Sequence, residues 1–278
     1  MKSKPQHLLF RFLAGMTLAT ASHLAMAGVL EDAKARGELV ACTEFQFAPF
    51  EFLDGDKPVG FDIDLVALIA QDMGVKVKYI DLPWSSVLPA LESKRCDLVL
   101  AGVMRTKARM ERYDMSLPIG DAIVALVKRH GDASIMKPED IAGKVVGGVK
   151  GSAQIQIFQN FIDTKVPGGV KELKAYTAST QSYADLAAGR IVVASAAMAN
   201  LAYLVKTRPE FEIVEPGFGP PTYFGFPIRK EPESQTLAAA INAGITKYNK
   251  DGTMAKLQEK WFGKAFTLPY ENVPEPTI

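Results

Sequence analysis

Asp97-Leu98-Val99-Leu100-Ala101-Gly102 limits the possible folds of this chain more than any other stretch. A strand built from consecutive apolar residues has no wet face, so it must be covered on both sides, as in a parallel sheet. The flanking residues supply that cover. Leu39–Thr43 reads as a short strand, and Leu65, Val66, Leu68, Ile69, Ala70 and Met73 recur at helical spacing until Gly74, in the position that closes a helix. Val75–Tyr79 alternates as a strand with one solvated face. Val87, Leu88 and Leu91 mark a second helix, with Pro89 assigned to its first turn, where a missing N–H is tolerated. Strand–helix–strand–helix–strand in this order predicts an α/β unit with right-handed crossovers.

A second such set follows. Val145–Val149 and Ile191–Ala194 read as strands, Ile155, Phe158, Phe161 and Ile162 as one helical face, and Met198–Lys206 as another helix. Two extended segments, Ala122–Lys128 and Pro220–Ile228, lie between the sets. Beyond them come a long helical pattern (Leu237, Ile241, Ile245, Tyr248) and a shorter one (Met254, Leu257, Trp261) ending at Gly263. Two helices cannot enclose a core of their own, so they must return to the first unit. The expected organisation is a discontinuous first lobe, residues 28–121 and 222–278, around a second lobe, residues 122–221. Two linkers between two lobes make a hinge.

The first residues are expected to be removed. Lys2, Lys4 and Arg11 form a positive start, Phe12–Ala25 an apolar stretch short for a membrane span, and Ala25-Met26-Ala27 a small–x–small cleavage pattern, so residues 1–27 read as a signal peptide. The remaining chain reads as exported and soluble, with a net charge of about −2 because three basic and no acidic residues are lost. Lacking basic excess and basic runs, it is not expected to bind nucleic acid or an anionic membrane. Cys42 and Cys96 could pair in an oxidising compartment. Placing them at opposite ends of parallel strands separates them beyond the ~7 Å Cα limit, so the expectation is two free buried thiols. No cofactor or metal site is expected.

Residues 47–65, FAPFEFLDGDKPVGFDIDL, join an aromatic loop, an Asp-Gly-Asp turn and an acid-flanked helix start. Then come PWSSVLPALESKRCDLVLAG, TKARMERYDMSLP, IAGKVVGGVKGS, DLAAGR and KDGTMAKLQEKWFG. In this order they resemble the family 3 extracellular solute-binding proteins over nearly all of residues 38–264. The resemblance implies a two-lobed periplasmic binding protein of type II, each lobe a central sheet flanked by helices. It further implies a monomeric receptor that captures an amino acid or amino-acid-like carboxylate and delivers it to an inner-membrane ABC permease.

Ligands of open α/β sheets sit beyond the carboxyl ends of strands. Glu44 and Phe47 follow the first strand, Trp84 the second, and Gly102, Met104 and Arg109 the third. The guanidinium of Arg109 suits a carboxylate, and TKAR stands where the resemblance implies the carboxylate-binding arginine. Nearby Arg105, Lys107 and Arg112 read as surface charges. Gly102 lets its backbone approach a ligand oxygen, Phe47 and Trp84 can wall the ligand, and Glu44 can read its distal end. In the second lobe, Ser152 and Ala153 open a helix whose free N–H groups favour an anion.

Two departures narrow the ligand. Where the family pattern carries an aspartate for the ligand's α-ammonium, this chain has Ala197, and Met104 replaces a usual Thr or Ser. A buried ammonium without an acceptor is costly. Either Glu44 takes the cation, or the ligand is a carboxylate or cationic molecule without an α-ammonium. A dehydratase-like enzyme on the same fold is a further alternative, with Glu44 as acid or base. A hydrolytic triad is disfavoured, because His130 is the one histidine after residue 27 and no nucleophile motif adjoins it.

Overall fold

The computed structural model describes residues 28–278; the proposed signal peptide lies outside them. Helix α1 (Val29–Arg36) leads into β1 (Glu38–Thr43). A small antiparallel sheet follows, of β2 (Gln46–Phe47), β3 (Glu51–Asp54) and β4 (Lys57–Val59). Helix α2 (Phe61–Met73) starts after Gly60, where φ is 136° and a Cβ would sit 2.1 Å from the Phe50 carbonyl oxygen. Only glycine meets both conditions. Next come β5 (Lys76–Asp81), α3 (Trp84–Glu92), β6 (Leu98–Leu100), α4 (Lys107–Arg112) and β7 (Tyr113–Met115).

The chain crosses through β8 (Gly120–Asp121) and builds β9 (Val124–Arg129), β10 (Val145–Val149), α5 (Ala153–Lys165), β11 (Glu172–Tyr176), α6 (Ser179–Ala187), β12 (Val193–Ala197), α7 (Met198–Thr207) and β13 (Phe211–Phe218). It returns through β14 (Tyr223–Phe224) to β15 (Pro227–Arg229), α8 (Gln235–Lys250) and α9 (Thr253–Phe262).

Two five-stranded sheets result, ordered β5-β1-β6-β15-β7 and β11-β10-β12-β9-β13. In the first, β1 lies between parallel β5 and β6; in the second, β10 lies between parallel β11 and β12. The crossing strands β8 and β14 pair with each other, Asp121 opposite Tyr223 and Gly120 opposite Phe224. Leu237, Ile241, Ile245 and Tyr248 of α8 are buried, and α8 and α9 pack on α2 as part of the first unit.

Several details differ from expectation. Most of Ala122–Lys128 is no linker: β9 is a central strand of the second sheet, antiparallel to β12 and β13. Its fully buried Val124–Val127 explain the placement, since four successive covered residues need neighbours on both edges and both faces. Pro89 is not in the first turn of α3, which starts five residues earlier at Trp84; it sits on the exposed side, where water can satisfy the carbonyl its ring leaves unpaired. Strand β12 begins at Val193, two residues later than Ile191.

Cys42 and Cys96 are not free. They form a disulfide with a Cα separation of 5.7 Å. Cys96 does precede β6, but β6 starts opposite Ala41, the residue before Cys42, and not opposite the start of β1, so the turn that carries Cys96 comes beside Cys42 rather than at the far end of that strand. Both cysteines pack in one apolar cluster with Val87, Ala90 and Leu91 of α3. The bridge spans 54 residues. Chain-entropy reasoning assigns a loop of that length about 4 kcal/mol. The double variant Cys42→Ala/Cys96→Ala should therefore lose several kcal/mol of unfolding free energy in urea, and reductant should shift the wild type but not the variant; equal midpoints for the two proteins would contradict this.

Candidate functional site

A cavity lies between the carboxyl ends of the two sheets. From the first sheet come Glu44 and Phe47 after β1, Trp84 after β5, and Ala101 and Gly102 after β6. From the second come Val149 at the end of β10, Ser152 and Gln154 at the start of α5, Ser179 after β11, and Ser195 and Ala196 at the end of β12. Every lining residue thus sits at or just beyond the carboxyl end of a parallel strand, where backbone groups and helix starts can face a ligand.

Among the lining residues Glu44 is the one ionisable group. Burial pushes its carboxyl pKa up to about 7; a hydrogen bond from the Trp84 backbone N–H opposes the rise, and the Asp81 charge adds to it. Ser195 is almost fully buried and its hydroxyl has no hydrogen-bond partner. Ser152 caps α5: its Oγ accepts from the Ile155 N–H at 3.2 Å and donates to the Val149 carbonyl at 2.7 Å. Its proton is therefore committed within the chain.

Gly102 has φ of 52°, and a Cβ on it would lie 2.0 Å from Phe47 Cε1. The Phe47 ring, and not the ligand oxygen expected there, takes the space of the missing Cβ; it also packs on Phe50 and Phe224 at centroid distances of 5.6 and 5.8 Å. Phe47 thereby ties the cavity wall to the core.

Arg109, in α4, does not itself line the cavity. Its guanidinium lies 5.5 Å from the centroid of Trp84, which does, and Nη1 donates to the Met104 carbonyl at 3.0 Å. Burial lowers its pKa to about 10, so it stays charged at neutral pH, and no carboxylate among the described residues pairs with it. Met104, Ala153 and Ala197 are buried in the core rather than exposed to the cavity; Met104 bridges to Phe224, and Ala197 is the N-cap of α7, without a side-chain cap. Arg105 is not a surface charge. It is buried and donates to the Met115 and Ser116 carbonyls, fixing the backbone before the crossing.

Ala101, Val149, Gln154, Ser179, Ser195 and Ala196 were not expected in the site. Three of them adjoin residues that were: Ala101 precedes Gly102, Gln154 follows Ala153, and Ala196 precedes Ala197; Val149 ends β10 three residues before Ser152. Ser179 carried no such signal, because β11 and the start of α6 have no strong apolar period.

Behind Glu44, Glu51 of β3 and Asp62 of α2 are fully buried, and their oxygens have no hydrogen-bond partner except each other. Burial, with each acid beside the other, holds the Glu51 carboxyl well above its ordinary range, and burial lifts Asp62 from 3.8 to about 7. The folded protein therefore retains protons that the unfolded chain releases between about pH 4 and 7. Stability from this pair is greatest below that window and is lost as pH rises through it. In Asp62→Asn the fall in thermal midpoint between pH 5 and 8 should be smaller than in the wild type; an unchanged slope would show that the pair is not the titrating element.

Two helix-flanked sheets, two crossing strands and a cavity between their carboxyl edges define a two-lobed binding protein of the type II periplasmic class. The chain belongs to family 3 of the bacterial extracellular solute-binding proteins, which it matches over residues 39–264. It is 31% identical over 258 residues to the L-cystine-binding protein TcyJ of Escherichia coli, covering 92% of each chain. It is 28% identical over 239 residues to the L-cystine-binding protein TcyA of Bacillus subtilis, covering 83% of each. Among solved structures, an ancestral arginine-binding protein bound to arginine is similar with TM-score 0.74 and 36% identity, over 82% of this chain and 99% of that one. An ancestral amino acid-binding protein described as a precursor of cyclohexadienyl dehydratase gives 0.76 and 27%, over 84% and 99%.

Proposed function

We propose that this protein is the periplasmic receptor of an ABC importer, and that it closes two lobes on an amino acid or amino-acid-like carboxylate carrying a cationic group. The observation that carries this reading is the cavity between the two carboxyl edges, with one buried acid, Glu44, on its wall and an uncompensated guanidinium, Arg109, against Trp84. In this reading residues 1–27 are the export signal. Residues 28–121 with 222–278 form one lobe and residues 122–221 the other, and the monomer presents its closed lobes to the permease. The ligand carboxylate goes to Arg109, and the first-turn N–H groups of α5 assist. Phe47 and Trp84 wall the ligand, and Glu44 takes its positive charge. Relatives that bind arginine and cystine support a ligand of this class.

Ala197 leaves no acid at the start of α7 for an α-ammonium. Arginine and des-amino arginine, compared by calorimetry, separate two forms of the proposal: preference for arginine assigns its α-ammonium an acceptor, and preference for the des-amino compound assigns it none. A dehydratase-like activity is the second reading, favoured by a Glu44 carboxyl that titrates near neutrality. Recovery of chemically unchanged ligand after prolonged incubation would count against it.

A thermal-shift panel of amino acids, including arginine and cystine, with their des-amino counterparts tests the proposal. At least one carboxylate should raise the melting temperature, and Arg109→Ala should weaken that ligand roughly 10- to 150-fold, the worth of one charge-assisted hydrogen bond. No loss would remove Arg109 from the site. Glu44 adds a pH signature: since a cation binds the ionised carboxylate, its affinity should rise between pH 6 and 8, with proton release on binding. Glu44→Gln should abolish both effects; a pH dependence that survives it would assign the proton elsewhere.

A further inference from the structure

Outside the ligand cavity, three hydrogen bonds run from the loop between β1 and β3 to the second unit. Thr180 Oγ1 donates to Gln46 Oε1 at 2.8 Å, Ser179 Oγ to the Gln46 carbonyl at 3.3 Å, and Asn200 Nδ2 to the Ala48 carbonyl at 2.7 Å. The donors come from the start of α6 and the first turn of α7, while the acceptors belong to Gln46 and Ala48, on either side of Phe47. None of these bonds belongs to a sheet or helix ladder. Asn200 is nearly buried in the contact, whereas Thr180 is exposed. Gln46, Thr180 and Asn200 line a chamber next to the ligand cavity but not the cavity itself; Phe47 and Ser179 border both.

We infer that Gln46, Thr180 and Asn200 are positioning residues for ligand capture: they form a clasp that sets the balance between open and closed lobes without touching the ligand. Two features of the geometry lead there. The loop that carries the clasp also carries Phe47, so joining Gln46 and Ala48 to the second lobe seats one wall of the cavity against the other. The bonds also link groups that water satisfies when the lobes part, so each contributes its small net value to closure rather than a large desolvation penalty. A hydrogen bond of that kind changes a two-state ratio about fivefold. While the ligand-free protein is mainly open, any factor lost from closure is lost equally from apparent affinity.

The proposal rests on the two-lobed receptor reading, but its test needs no ligand, so the two fail separately. Dyes on Asp56→Cys, in the turn between β3 and β4, and Lys165→Cys, at the end of α5, occupy exposed positions on opposite units. The paired Cys42 and Cys96 leave no other thiol among the described residues. Single-molecule energy transfer on the ligand-free protein should resolve open and closed populations. Thr180→Val should lower the closed-to-open ratio about fivefold. Thr180→Ser, which keeps the hydroxyl, should restore it, and Thr180→Val/Asn200→Ala should lower it about 25-fold. The urea midpoint of Thr180→Val should stay at the wild-type value, which separates a clasp from a general stabilising contact. A ratio unchanged in Thr180→Val, or a wild type with no closed population, would overturn the proposal even if the double variant does not fold.

Discussion

The Phe50 ring holds together parts of the molecule that have different tasks. It lies 5.6 Å from Phe47 on the cavity wall, 5.1 Å from Phe224 on a crossing strand, 6.2 Å from Phe61 at the start of α2 and 5.2 Å from Phe262 at the end of α9. Gly120, on the other crossing strand, approaches it so closely that a Cβ would come within 3.1 Å. Such edge and offset contacts add about 0.5–1.5 kcal/mol each beyond the area they bury. Their larger effect is geometric. A densely packed ring cannot move without its neighbours, so the orientation of Phe47 and the path of both crossing strands are fixed together. The discontinuous first unit follows from the same contact, since Phe224 and Phe262 reach Phe50 only after the chain has returned from the second sheet.

Against that apolar centre, charge is distributed unevenly. Glu44, Glu51 and Asp62 are buried in the first unit, and the charge of Glu44 contributes to the raised pKa of Glu51. Arg109 lies against Trp84, with a backbone carbonyl rather than a carboxylate as its partner. Desolvation penalises each charged form, and the acids can escape the penalty by holding protons while the guanidinium cannot. In the proposed reading a zwitterionic or amphoteric ligand suits this separation, its carboxylate directed to the unpaired cation beside Trp84 and its positive end to the acid on the cavity wall.

Much of the architecture was legible before the structure. Strands β1, β5, β6 and β10 and helices α2, α5, α7, α8 and α9 announce themselves by apolar period, and their order leaves few α/β arrangements. The unread parts depend on contacts that no local pattern encodes. The Cys42–Cys96 bridge turns on the register of β6, which starts opposite Ala41 and so brings the turn before it beside Cys42. The burial of Arg105 depends on carbonyls ten and eleven residues away being bent towards it. Ser179 enters the cavity because β11 joins the edge of the second sheet, although its residues are only half covered. Candidate residues chosen by strand-end logic divide on similar grounds: Glu44, Phe47, Trp84, Gly102 and Ser152 reach the cavity, while Met104, Ala153 and Ala197 turn into the core.

Ala197 shows most directly how one position links fold to recognition. It is the N-cap of α7, the last residue of β12 and a fully buried member of the core. An aspartate there could cap the helix with its side chain; alanine cannot, and α7 starts without a side-chain cap. With no carboxylate at the start of α7, Glu44, across the cavity, is the acid on its wall. In the proposed reading, positive charge is recognised by the lobe that carries Phe47, Trp84 and Arg109 rather than by the one that carries α7. With both charged groups in one lobe, such a ligand would dock on the first unit while the cleft is open. Closure would then rest on what the second unit offers: the start of α5, the unpartnered Ser195 hydroxyl and contacts made by the chain itself.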